Sequence, residues 1–188
     1  MAVITTKELL LYSNLTATAA TIAAELIPMI QDRIAIIANN QFTTDLHLQD
    51  DMVFNAAART IVADSSFAGE GFLSADDIYI YNSYRNDGYY SVASVATVTH
   101  TLTTAKSVVA ELSGRSILIS VVKWPVDVKQ IAARMVAYDY NVRPAKSEGV
   151  KAHSLGPFSE TFSDSEDQFG YPKSITDQLS SYRIARLM

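Results

Sequence analysis

The sequence predicts an α+β fold: a small bundle of helices with an inserted antiparallel β-barrel or β-sandwich and an extended C-terminal arm. Apolar residues recur at helical spacing near both ends of the chain, and short runs rich in Val, Thr and Tyr lie between them. We therefore expect a helical domain formed by 1–48 and 124–188, with the arm at 144–171. The inserted β domain is expected at 49–123.

The N-terminal zone predicts two helices. Thr5 or Thr6 can cap a short first helix that ends near Ser13. A longer helix is expected over about 18–39. Pro28 should kink or divide this second helix, because its ring removes a backbone hydrogen bond.

The middle zone predicts short strands separated by turns. The runs with strand character are 60–62, 78–81, 89–92, 98–102 and 117–122. Asp87-Gly88 tolerates positive φ and suits a tight hairpin, and Ser113-Gly114-Arg115 is a second turn. Strands of this length and spacing favour a small barrel or sandwich.

The C-terminal zone predicts two more helices. Pro125 suits the first turn of a helix that runs to about Asn141. A final helix should follow Pro172, with Ile175 and Leu179 spaced along one face. The polar stretch between these helices supplies the expected arm.

Composition excludes several classes of function. The chain has 188 residues, no cysteine and a formal net charge of −5. Without cysteine there can be no disulfide, thiolate metal site or cysteine nucleophile. The acidic balance argues against a general nucleic-acid binder. No apolar run approaches the length of a membrane span, and the N-terminus lacks the basic region of a signal peptide, so we expect no membrane partner.

The residues that most often carry catalysis are scattered. Asp50-Asp51 and Asp76-Asp77 fit acids that cap turns better than a calcium loop. The sequence holds no nucleophile-elbow motif and no phosphate-binding glycine loop, although a spatial Ser-His-Asp triad stays open. The histidines, none at metal-ligand spacing, are His47, His100 and His153. We expect no enzymatic activity, no metal and no cofactor.

Tyrosines are concentrated in the predicted β domain, at Tyr79, Tyr81, Tyr84, Tyr89 and Tyr90. Exposed together, they could form a stacking platform for a glycan or a nucleic acid. On alternate strand positions they would instead form cross-strand pairs over a small core, the interpretation that we favour. Tyr84 and Tyr89 are the candidates for contact with an outer partner.

Several segments match the pattern of one family. The first helices read TTKELLLYSNL and TATAATIAAELIPMIQDRIAIIANNQF, and a Pro-led helix reads WPVDVKQIAARMVAYDYNVRP. The most specific match is KSEGVKAHSLGPFSETFSDS followed by YPKSITDQLSSYRIARLM. In these segments the chain resembles the head-tail connector family of tailed bacteriophages, also called adaptor or head-completion proteins.

The middle zone departs from the short members of that family, in which a loop joins the second and third helices. Its sequence FLSADDIYIYNSYRNDGYYSVASVATVTHTLT resembles a small β module of other phage structural proteins. Both resemblances point to a protein of the virion.

The family resemblance implies a homo-oligomeric ring, usually a dodecamer, made in the host cytoplasm and found in the virion neck. Such a ring docks beneath the portal protein after genome packaging and extends the DNA channel. It then offers a surface to the stopper or tail-terminator protein, while DNA passes transiently and without sequence preference.

The C-terminal segment supplies the expected interface. The two phenylalanines could anchor a strand added to the sheet edge of the portal or of a neighbour. The last tyrosine and the arginines could bind acidic partner surfaces or pack on the helical core, and both alternatives stay open. The candidate contacts are Phe158, Phe162, Tyr171, Tyr182, Arg183 and Arg186.

Two alternatives to the connector are kept. One is another neck or tail-completion protein, such as the stopper, which would bind purified tails rather than portals. The other is a β module on a virion protein that binds a host surface or glycan, which a glycan array would detect.

Overall fold

A computed structural model describes residues 2–142, 152–155, 158–161 and 169–185. The chain separates into a barrel unit, Gln41–Lys123, and a helical unit that combines Ala2–Asn40 with the described residues from Trp124 onward. The barrel unit is a closed antiparallel β-barrel. The α+β class and an antiparallel β domain are thus confirmed, and of the two alternatives, barrel and sandwich, the structure has the barrel.

Six strands, β1 to β6, form the barrel in the order β1-β2-β5-β4-β3-β6, and β6 pairs with β1 to close it. A short helix, α4 (Phe67–Glu70), lies between β2 and β3. The strands are β1 (Thr43–Asn55), β2 (Thr60–Ala63), β3 (Asp77–Tyr81), β4 (Gly88–Val95), β5 (Thr101–Thr104) and β6 (Ser116–Val122).

The barrel encloses one apolar core, because alternate residues of each strand point inward. Fully or almost fully buried members include Met52, Phe54, Ile61, Ile78, Ile80, Leu102, Ile117 and Ile119. Phe67 of α4 packs edge-to-face on Phe72, with ring centroids 5.5 Å apart. Burial of one such side chain stabilises the fold by about 1.5–3 kcal/mol.

β1 is missing from the sequence prediction. It is 13 residues long, and the expected domain boundary at residue 49 falls inside it. Its alternation is present in the sequence, since Leu48, Met52 and Phe54 are buried while their neighbours are more exposed. Three aspartates within this run mask the pattern, because Asp is depleted in strands.

Two predicted details of the barrel are wrong. The tight hairpin at Asp87-Gly88 is instead a longer loop over 82–87, although Gly88 has the expected positive φ of 135°. The strand predicted from residue 98 begins only at Thr101, because 96–100 form the connection between β4 and β5.

The helical unit begins as predicted. In α1 (Thr6–Tyr12), the Thr5 side chain accepts from the Glu8 N–H while the Glu8 carboxylate accepts from the Thr5 N–H. This reciprocal capping box explains why a helix of so few residues starts where it does. Ser13 ends the helix.

The second predicted helix is divided, as Pro28 suggests. α2 (Ala17–Ala23) passes through a 3-10 turn (Ala24–Leu26) into α3 (Ile27–Ala38). Pro28 lies in the first turn of α3, where a missing N–H costs nothing. Asn39, in the left-handed conformation, ends α3.

α5 (Val126–Asn141) is the central helix of the helical unit. It starts after Pro125 as predicted. It packs against α1, α2 and α3 and buries a face that includes Val128, Ile131 and Met135. Its burial by several partners explains why so few of its side chains are exposed.

The last predicted helix is only partly helical. α6 (Lys173–Thr176) continues as a 3-10 turn (Asp177–Tyr182). The hydroxyls of Ser180 and Ser181 donate to backbone carbonyls three residues earlier, which competes with regular helix formation.

Two short strands lie within the predicted arm. β7 (Ala152–Leu155) and β8 (Phe158–Thr161) pair antiparallel with each other as a separate two-stranded sheet. β8 begins at Phe158, one of the two phenylalanines expected to anchor a strand.

Candidate interaction surfaces

The loop over 82–87 is held by one buried carboxylate. Glu111 accepts hydrogen bonds from the Ser83 hydroxyl at 2.9 Å and from the backbone N–H groups of Tyr84 at 3.0 Å and Arg85 at 2.8 Å. The Asn86 amide also donates to it. Because one rigid acceptor gathers donors from consecutive residues, the loop has a defined conformation rather than a free one.

We call Glu111 and its hydrogen-bond donors in 83–86 the Glu111 cradle. This environment stabilises the ionised carboxylate. Burial acts to raise the pKa of the Glu111 carboxyl, but the hydrogen bonds from Tyr84, Ser83 and Arg85 act in the opposite direction and outweigh it. The pKa of Glu111 therefore lies below its ordinary value. The loop is thus organised around a carboxylate that stays ionised at neutral pH.

The outer face of this loop is apolar and basic. Tyr84 is 73% exposed and Leu112 is 87% exposed. The guanidinium carbon of Arg115 lies 4.5 Å from the centroid of the Tyr84 ring, a cation–π arrangement. Tyr and Arg are the residue types enriched at protein interfaces, so this surface is a candidate contact site.

Tyr89, the second candidate for outer contact, is turned toward its own barrel. Its ring lies edge-to-face with Tyr79, with centroids 4.7 Å apart and the two residues opposite each other on β3 and β4. Its hydroxyl donates to the Gln41 side chain at 2.7 Å. The cross-strand interpretation of the tyrosines is confirmed for this pair.

A largely buried polar cluster joins α3, α5 and the segment before α6. Arg33 of α3 donates to Asp139 of α5 at 2.9 Å, and the Tyr171 hydroxyl donates to the same carboxylate oxygen at 2.6 Å. Arg33 also donates to the Tyr171 hydroxyl. Burial, reinforced by the hydrogen bond to Asp139, raises the pKa of the Tyr171 phenol far above its ordinary value.

Tyr171 is one of the predicted interface residues, and the structure places its side chain inside the helical unit. The side chain is fully buried, and its ring lies 5.7 Å from that of Tyr138. A partner could reach this ring only after the segment around Tyr171 had left the helical unit.

Tyr182 contacts the start of α5, and Arg183 contacts the end of α3. The Arg183 guanidinium donates to the Ile37 carbonyl in the last turn of α3, at 3.2 and 3.3 Å, which places a cation at a helix C-terminus. The Tyr182 hydroxyl donates to Asp127 at 3.3 Å. These contacts match the alternative in which the segment packs on its own helical core, while Arg183 stays exposed.

The remaining predicted interface residues are Phe158, Phe162 and Arg186. The backbone of Phe158 belongs to β8. Phe162 and Arg186 lie outside the described residues.

An apolar stripe on α2 and α3 is absent from the sequence prediction. Ile22 is 56%, Met29 38% and Ile36 59% exposed. The three stand seven residues apart, so they share one face of the consecutive helical segments, and Glu25 and Asp32 lie between them. The seven-residue spacing is the signal that could have found this face.

Three of the four paired acids cap backbone groups, as expected, while Asp77 accepts from the Ser91 hydroxyl at 3.2 Å. Asp50 accepts from the Ser65 N–H at 2.7 Å, Asp51 from Gly114 at 2.7 Å, and Asp76 from Leu73 at 2.7 Å. In the part of the chain that the structure describes, no three His, Cys, Asp or Glu side chains come together as a metal site would require.

No protein-family model matches the chain, and no curated protein matches it. Among the described helices, none combines the length and apolar character needed to cross a bilayer.

Proposed function

We propose that this protein is a structural component of the neck of a tailed bacteriophage, a ring-forming head-to-tail connector. It docks beneath the portal, extends the DNA channel and offers the attachment surface for the stopper or tail. Its role is to assemble the neck and to seal the DNA channel, and this role requires no chemical reaction, cofactor or membrane contact.

The observation that carries the proposal is the apolar stripe of Ile22, Met29 and Ile36. Exposed apolar side chains are ordinary when scattered, but a row along one helical face is typical of a surface that another protein covers. A ring built from identical subunits covers such a face in every copy. The resemblance of the flanking sequences to connector proteins supports the same role.

Within this proposal the helices around α5 are the small bundle that forms the body of the ring. The segment 144–171 is its C-terminal arm. Phe158 and Phe162 would anchor the arm on a portal or neighbouring sheet edge, and Arg186 would extend the contact. The buried Tyr171 would hold the C-terminal end of the arm to its own subunit.

The test is assembly of the full chain, alone and with purified portal rings from the same phage, followed by native mass spectrometry. We expect the wild-type protein to form a ring that binds the portal. Ile36→Asp should prevent ring formation, because it places a charge in the apolar stripe. Gln130→Asp adds the same charge at an exposed polar position of α5 and is the matched control.

Each result has a defined meaning. A wild-type protein that stays monomeric with and without portals would overturn the proposal. Binding to purified tails but not to portals would assign the chain to another position in the neck.

A further inference from the structure

The loops at one end of the barrel concentrate its positive charge. We call this end the basic rim, formed by 56–59, 82–87 and 105–115, where β1, β3 and β5 finish. It contains four of the five Lys and Arg residues of the barrel unit, Arg59, Arg85, Lys106 and Arg115, against two acids, Asp87 and Glu111.

The basic rim is one connected surface. Arg59 donates to the Ala105 carbonyl at 3.1 Å, which joins its first and third loops. The Lys106 ammonium lies 4.0 Å from the centroid of the Tyr90 ring. Together with the Arg115–Tyr84 contact and the Glu111 cradle, these interactions hold Arg59, Lys106, Arg115 and Tyr84 in place before any partner arrives.

Two connections at the opposite end of the barrel are together acidic, although Lys123 follows β6 at that end. We call these connections, 64–76 and 96–100, the acidic rim, where β2 and β4 finish and β3 and β5 begin. These connections contain Asp64, Glu70 and Asp76 and no Lys or Arg. The His100 ring nitrogen lies 2.6 Å from the Asp64 carbonyl oxygen and ties the two connections together.

Both rims also expose apolar side chains. On the acidic rim Leu73 is 65% exposed and Val98 is 85% exposed, as Tyr84 and Leu112 are on the basic rim. A polyanion such as nucleic acid would engage the cations but leave Leu73 and Val98 in water. A protein surface that is acidic and apolar would cover the basic rim fully, and the acidic rim of another copy has that chemistry.

We propose that the basic rim of one copy docks on the acidic rim of the next, so that neighbouring barrels associate head to tail. This inference rests on the ring proposed above and names a contact that holds it together. Such a contact is heterologous, and a heterologous contact closes into a ring when its rotation permits. The apolar side chains supply affinity, while the charges set direction, because two like rims repel each other.

The test uses two full-length variants with opposite charge changes. Arg85→Glu/Arg115→Glu reverses part of the basic rim, and Asp64→Lys/Glu70→Lys reverses part of the acidic rim. All four positions are exposed. The first variant lowers the net charge of −5 by four, and the second raises it by four.

Sedimentation and native mass spectrometry would follow association at low salt and at about 1 M NaCl, where screening acts within about 3 Å. We expect each variant alone to associate at least about tenfold more weakly than wild type, since like charges face each other. An equimolar mixture of the two should regain association, because each supplies the rim that the other lacks. High salt should weaken the wild-type contact.

The mixture and the opposite net charges exclude simpler explanations. If overall repulsion between copies governed association, the acidic-rim variant, which has the smaller net charge, would associate more strongly than wild type. If the variants were misfolded, their mixture would not regain association. Rings of wild-type stability from both variants would overturn the barrel contact and leave the connector proposal standing. A wild-type protein that forms no ring, even with portals, would overturn the connector proposal as well.

Discussion

Among the described residues, the barrel unit and the helical unit each bury one carboxylate, and they satisfy it in different ways. Glu111 is surrounded by donors from consecutive residues of a single loop. Asp139 instead binds Arg33 and Tyr171, which lie 106 and 32 residues away along the chain. The first arrangement shapes a surface, while the second joins three segments of the fold. Removal of either carboxylate should therefore have effects of different size and reach.

The largest effect is expected from Asp139→Ala. The change leaves the Arg33 guanidinium partly buried without its counterion, and loss of one partner of such a pair costs about 3–5 kcal/mol. Because Arg33 keeps some exposure to water, we expect the lower end of this range. Denaturant unfolding would measure it, with Asp32→Ala, at an exposed position of α3, as the control. A loss of unfolding free energy as small as that of the control would show that the cluster does not hold these three segments together.

Glu111→Gln should have a smaller and more local effect. The neutral side chain keeps the shape but presents an amide group to N–H donors, so we expect a loss of about 2 kcal/mol. Hydrogen exchange should rise in 82–87 and stay unchanged in the helical unit. Glu70→Gln changes an exposed carboxylate of the same unit and should alter neither quantity.

Acid should act on the Glu111 cradle. Its folded-state pKa is lowered, so its contribution to stability is complete above the ordinary Glu pKa of about 4.3 and is lost as the pH falls through the folded value. The difference in unfolding free energy between wild type and Glu111→Gln should therefore shrink as the pH is lowered from 6 toward 3. A difference in unfolding free energy that stays constant over this pH range would contradict a lowered pKa of Glu111 in the cradle.

Tyr171→Phe should cost about 1 kcal/mol, because it removes a hydroxyl shared by Asp139 and Arg33 but keeps the ring. Here the pH dependence has the opposite direction. The folded-state pKa of Tyr171 is raised, so its contribution is complete below the ordinary phenol pKa of about 10 and is lost at higher pH. Chemical unfolding at pH 8 and near pH 11 would show whether the wild-type advantage disappears in alkali.

The smallest effect is expected from Tyr84→Ala. Its side chain lies outside the core, so the free energy of unfolding should change by only about 0.5 kcal/mol or less. Ring stability should nevertheless fall, because the basic rim loses an exposed aromatic side chain. A stability loss as large as that of Glu111→Gln would mean that Tyr84 supports the loop rather than a partner.

Much of the local structure follows from the sequence. The Thr5 capping box, the division before Pro28 and the start of α5 after Pro125 each depend on residues a few positions apart. Most of the barrel strands follow from alternating β-branched and aromatic residues. These patterns are visible because the physics that fixes them acts over one helical turn or along one strand.

The candidate surfaces depend on contacts that no local pattern contains. Glu111 reaches the loop at 82–87 only because barrel closure brings the connections at one end together. Closure also separates the basic rim from the acidic rim, although their residues alternate along the chain. The aspartates of β1 obscure its strand pattern in the sequence, and its pairing with β2 and β6 is visible only in the structure.

The sequence by itself determined the α+β class, most helix limits and the residue types available for an interface. The tertiary structure decided which of these residues are exposed. It buried Tyr171 beside Asp139, left Ile36 in water and held Tyr84 on a rigid loop. The physical reason is that exposure and pairing depend on long-range packing, whereas helix and strand signals depend on near neighbours.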